Sequence, residues 1–169
     1  MADKAMDVYL NDHLAGATLG SDLARQIRDQ HENSPLGDRM RAIAPQIEED
    51  RQTLIALMQR MGTSRNPVKQ ATAWATEKAS HAKFRDMTSG EPGLGTFMAV
   101  ESLALGVLGK LSLWRALARV ADQYSAIASV DLDELIDRAR AQYDLLEHER
   151  LTASSQALRP VQNQTDAAA

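Results

Sequence analysis

Four stretches of this chain place apolar residues at helical spacing, and the joins between them are unequal in length. The first stretch runs from about Lys4 to His31, with Leu10, Leu14, Ala17, Leu23, Ala24 and Ile27 near one face. The second begins at Ser34 and ends at Gly62, keeping Ile43, Ile47, Leu54, Leu57 and Met61 on a heptad-like seam that also carries Asp50. The third, from about Leu94 to Tyr124, turns Val100, Leu103, Val107, Leu111, Trp114 and Leu117 inward. The fourth starts at Asp131 and runs to Leu151 or slightly beyond. Alternating β-branched and aromatic runs are missing, so the sequence predicts no strands.

Local signals mark the helix ends. Ser34 is placed to cap and Pro35 to open the second helix, where a missing amide hydrogen costs nothing. Gly62 suits its C-terminal stop, and Asp131 with Glu134 three residues on forms a capping pair. Pro45 cannot donate to the carbonyl of Arg41, which predicts a bend in a helix that stays continuous, since the seam keeps its phase. Between the second and third stretches, Asn66 and Pro67 open a shorter helix carrying Arg65, Lys69, Lys78, Lys83 and Arg85 against Glu77 and Asp86.

Helices of about 25 residues span about 38 Å each, and only a bundle hides four such stripes in one domain. The predicted fold class is all-α, with residues 1–157 as the helical domain and 158–169 as a mobile tail. Short first and last joins make antiparallel neighbours. The long middle join, with its own cationic helix, can traverse the bundle, giving an up, down, down, up order. In this pattern the chain resembles the ferritin-like superfamily over roughly residues 4 to 151, a likeness that implies a four-helix bundle with a crossover.

The chain has no cysteine, which removes disulfides, thiolate metal sites and cysteine nucleophiles. Its net charge of −4 argues against nucleic acid as a partner. The start MADKAMDVYLNDHLAG carries Asp3, Asp7 and Asp12 where a secretory leader would be apolar, so a cytoplasmic location is expected. The apolar run FMAVESLALGVLG contains Glu101 and precedes Lys110, and reads as a core helix rather than a membrane span. No GxSxG elbow is present, SGEPGLG lacks a following Lys-Ser/Thr, and GVLGK lacks the first glycine of a phosphate loop.

The resemblance implies a search for di-iron ligands, an inward Glu on two helices and Glu-x-x-His on the other two. The third residue after Glu48 is Arg51, after Glu49 it is Gln52, and after Glu101 it is Ala104, so the signature is absent. The remaining candidates for an atypical iron or manganese site are Asp22, Glu48, Asp50, Glu101 and His148. Folding about Ser34 puts Asp22 within about one turn of Glu48 and Asp50, whereas Glu101 and His148 are offset by about 8 Å. The plainer expectation pairs Asp50 and Glu101 with Lys110, Arg51 or Arg115. His13, His31 and His81 are dispersed, and His31 sits where a helix C-terminus favours positive charge.

Three functional readings follow. The first is a non-catalytic intracellular bundle, without cofactor, acting by association with itself or a partner, with Leu105, Leu108 and Leu113 offering apolar surface beyond one seam. The second is a metal-dependent oxidase or storage protein using the carboxylates above. The third is a binding module whose core accepts an apolar ligand or a partner helix.

Overall fold

A computed structural model describes residues 4–63 and 93–159, and every described element is helical. Helix α1 spans Lys4–Gln30, α2 Pro35–Arg60, α3 Leu94–Ala118, α4 a single turn Ser125–Ala128, and α5 Leu132–Ala157. A 3₁₀ turn, Ala121–Gln123, follows α3. The third helix is therefore shorter than the pattern predicts: it ends at Ala118 instead of Tyr124, and two short turns carry the chain to α5. The cationic segment with Arg65, Lys69, Lys78, Lys83 and Arg85, His81, and the tail beyond residue 159 lie outside the described residues.

The caps explain where the helices begin and stop. Ser34 Oγ accepts from the Gly37 amide at 3.2 Å, with Pro35 at the first helical position. Gly37 itself is constrained by the turn, because a Cβ there would stand 1.9 Å from the His31 carbonyl oxygen. At the other end of α2, Gly62 takes φ 69°, and the amides of Gly62 and Thr63 close on the carbonyls of Gln59 and Met58. That is the left-handed glycine stop of a Schellman motif. Asp131 accepts from the Glu134 amide at 3.0 Å to start α5. Helix α2 runs unbroken through Pro45, which is exposed together with Arg41, so the carbonyl that loses its donor can meet water.

Helix α1 packs along α2 and against α3, while α3 packs along α5. Two apolar layers result. One gathers Leu10 and Leu14 of α1, Leu54 and Leu57 of α2, Leu111, Trp114 and Leu117 of α3, Ile127 of α4 and Leu135 of α5. The other gathers Leu23 and Ile27, Met40 and Ile43, Val100 and Leu103, and Leu146. Each fully buried Leu or Ile contributes about 1.5–3 kcal/mol relative to exposure, so these layers dominate the favourable side of folding. Helix α3, at 25 residues and with an 18-residue window of mean hydropathy 1.4, is long and apolar enough to cross a membrane by length and composition. Its apolar run is thus longer than FMAVESLALGVLG alone. In this fold Val100, Leu103, Val107, Leu111, Trp114 and Leu117 are buried against the other helices.

Candidate functional site

The two apolar layers are separate because polar side chains stand between them. On α2, Asp50 falls between Ile47 of one layer and Leu54 of the other; on α3, Lys110 follows Val107; on α5, Gln142 lies between Ala139 and Leu146. Asp50 is 1% exposed. Its Oδ2 accepts from Lys110 Nζ at 2.5 Å, and Arg138 Nη2 lies 2.7 Å from its Oδ1. Lys110 Nζ also donates to Gln142 Oε1, and Gln142 Nε2 donates to Gln46 Oε1 at 3.1 Å.

This arrangement is an internal ion cluster, and its energetics follow from burial. Desolvation pulls the Lys110 ammonium below its usual pKa, a pull that Asp50 opposes by attraction and hydrogen bonding. The Arg138 contact with Asp50 Oδ1 is an ion pair by distance but not an aligned hydrogen bond, so Asp50 Oδ1 and Arg138 Nε have no hydrogen-bond partner among the described residues. Arg138 reaches outward to Glu49 at 3.2 Å and Glu134 at 3.9 Å, which carries the cluster to the surface of the α2/α5 seam.

On the α1/α3 side of the same level the bundle is hollow. A cavity of about 180 Å³ is lined by Gly16 and Gly20 of α1, Gly106 and Gly109 of α3, and the side chains of Asp50, Lys110 and Trp114 among others. A Cβ added at any of the four glycines would meet nothing within 4 Å. Spacings of four residues on α1 and three on α3 put each glycine pair on one helix face, so the two faces leave space where side chains would otherwise interlock. Gly16 and Gly106 are exposed, which places an opening at the surface. Trp114 is 1% exposed, and its Nε1 has no hydrogen-bond partner among the described residues. His13 also lines the cavity, its ring edge-on to Tyr9 at 4.6 Å; burial lowers its pKa and Asp12 opposes the shift.

The five metal candidates are not brought together. Asp22 pairs with Arg25 on its own helix. Glu48 accepts from Ser21 Oγ at 2.6 Å, from Arg51 at 2.7 and 3.0 Å and from Gln52 at 2.7 Å. The Arg51 hydrogen bonds, more than the other partners, pull the Glu48 pKa down to about 2. Asp50 pairs with Lys110, as one of the sequence expectations had it, and also with Arg138. Glu101 pairs with Arg150 at 3.1 Å, a residue on α5 rather than Lys110, Arg51 or Arg115. His148 is exposed. Among the described residues no three His, Asp or Glu side chains are grouped to hold an ion. The most buried of these carboxylates, Asp50, is met by two cations, Lys110 and Arg138.

The apolar surface expected on α3 also changes. Leu113 is buried and Leu108 packs against the core, leaving Leu105, 63% exposed, as the outward member of the three. Sequence reasoning missed the four glycines and the cavity they line. The signal was present: glycine inside a helix costs about 1 kcal/mol against alanine, and two pairs at helical spacing ask for a reason. In comparisons with protein-family profiles, curated proteins and solved structures, nothing matches this chain.

Proposed function

We propose that this chain is a four-helix bundle of ferritin-like, up-down-down-up topology that works as a non-catalytic binding module, taking a small apolar molecule into the cleft between α1 and α3. The topology is supported by the two layers: the start of α1 shares a layer with the ends of α2 and α3 and the start of α5, and the opposite ends share the other. Metal ligands in such bundles are built from side chains on facing helices in the core. Here that level carries Asp50, Lys110 and Arg138 as an ion cluster, which favours binding over metal chemistry.

The observation that carries the reading is the glycine-lined cavity beside that cluster. Cores close-pack, and a space of this size between two helices is retained at the cost of lost contacts and of four helix-interior glycines. Ligand sites share this character, apolar walls with a few polar groups.

Thermal unfolding with and without ethylbenzene tests the proposal. Binding to the folded state alone raises the melting temperature by a few degrees at ligand well above its dissociation constant. Gly109→Leu, which projects a side chain into the open space, is expected to keep the fold and abolish that rise. An unchanged melting temperature in the wild-type protein, or an equal rise in Gly109→Leu, would overturn it.

A further inference from the structure

The outward face of α3 is unlike that of its neighbours. Exposed charges stand along α1, α2 and α5, among them Arg25, Arg41 and Arg140, as water-facing helix surfaces require. On α3 the outward line Met98, Ser102, Leu105, Gly109, Ser112 and Ala116 carries no charge over about 27 Å. Its spacing alternates four and three residues, the repeat of a seam that receives another helix. The hydroxyls of Ser102 and Ser112 donate back to the Met98 and Leu108 carbonyls at 2.8 and 2.9 Å, so neither presents an unmet donor.

We propose that this face is the interface of a two-fold symmetric dimer, in which α3 packs antiparallel against α3 of a second copy. The occupant follows from the order of residues along the line. Turned end for end about its midpoint, Met98 meets Ala116 of the second copy, Leu105 meets Gly109 and Ser102 meets Ser112. Large side chains then face small ones, the condition for layers to interdigitate, and the two-fold axis makes every match twice. Parallel pairing would set Leu105 on Leu105 and Gly109 on Gly109, a bulge beside a gap.

Charge follows the same symmetry. Glu101 and Arg115, two heptads apart, share one flank of the line. Arg115 is exposed and pairs with no carboxylate among the described residues, while Glu101, tied to Arg150, keeps 40% of its side chain exposed. The antiparallel register brings Arg115 to about 3 Å along the axis from Glu101 of the second copy, within an arginine's reach. A parallel pairing would instead put arginine level with arginine. One helix face is small beside the about 800 Å² per partner of a standard interface, so association is weak and concentration-dependent.

Sedimentation equilibrium of the full chain, from micromolar to near-millimolar concentration, should show a monomer giving way to a species of twice the chain mass. Leu105→Glu sets an unmatched carboxylate in each half of the contact and should leave a monomer throughout. Its melting temperature in dilute solution should be unchanged, because Leu105 is 63% exposed. Cross-linking reads the register, and the absence of cysteine leaves no competing thiol. Ser102→Cys and Ser112→Cys, mixed and oxidised, should form a disulfide dimer of one with the other. Neither alone should do so, its thiols standing about 15 Å apart along the axis. Ser102, Leu105 and Ser112 do not line the cavity, so a failure here leaves the small-molecule reading standing. A monomer at every concentration, a dimer that survives Leu105→Glu, or cross-linking of either single variant as readily as of the mixture would overturn the proposal.

Discussion

The two seams that close this bundle are built on opposite principles. Between α2 and α5, long polar side chains fill the space and tie the helices: Arg138 to Asp50, Glu49 and Glu134, Gln142 to Gln46, and Arg39 to Glu149 at 2.5 Å. Between α1 and α3, at the level of the same cluster, four glycines withhold side chains and leave a cavity. The helices on one side are joined by what they carry, those on the other by what lies above and below the gap. One seam should therefore suffer from losing atoms, and the other should gain from acquiring them.

The largest expected effect is at the first seam. Asp50→Ala leaves Lys110 and Arg138 inside the bundle without their shared anion, and removing one partner of a buried ion pair costs about 3–5 kcal/mol. Urea unfolding should show the loss as a lower midpoint with an unchanged slope. Replacing Asp50 and Lys110 together by Leu and Met removes the charge imbalance that the single change creates, and should recover most of it. A double variant no better than Asp50→Ala would mean that shape at this level matters more than charge.

The opposite sign is expected at the second seam. Alanine at Gly20 or Gly109 meets nothing within 4 Å, so each substitution should stabilise the chain by about 0.5–1 kcal/mol through helix propensity alone. Such a gain, measured beside a loss of ethylbenzene binding, would identify the glycines as retained for the cavity and not for the fold. A destabilisation would show instead that α1 and α3 approach at these positions more closely than the comparison of seams requires.

How far the sequence anticipated this divides along the same line. The caps at Ser34, Gly62 and Asp131, the inward sets of α1, α2 and α3, and the need of Asp50 for a cation, with Lys110 as one of three named, were legible because each depends on spacing along one helix or on the demand that a buried charge be paired. Arg138 and Arg150 were not, because their partners Asp50 and Glu101 lie across the bundle, and a long arginine can reach several positions from one register. The cavity was hidden for a further reason. A gap is a property of two helices together, and periodic patterns reveal the residues that fill a face more readily than those that leave it empty.

The smallest expected effect sharpens the comparison at a third contact, where α1 meets α2. Glu48 accepts from the buried Ser21 hydroxyl across that contact and from Arg51 along its own helix, and these bonds hold its pKa near 2, below the 4.5 of an unperturbed glutamate. A carboxylate whose folded pKa is depressed stabilises the fold above its unfolded pKa, and that contribution is lost as pH falls from about 4.5 toward 2. The Glu48 side chain is 36% exposed, so solvent screens the pair and the contribution stays under about 1 kcal/mol, well below that of Asp50. Urea midpoints measured at pH 7 and pH 3 should differ less in Glu48→Gln than in the wild-type protein, with the gap between the two proteins closing at the lower pH. A gap that stays constant across this range would assign the role of Glu48 to its hydrogen bond with Ser21, independent of charge.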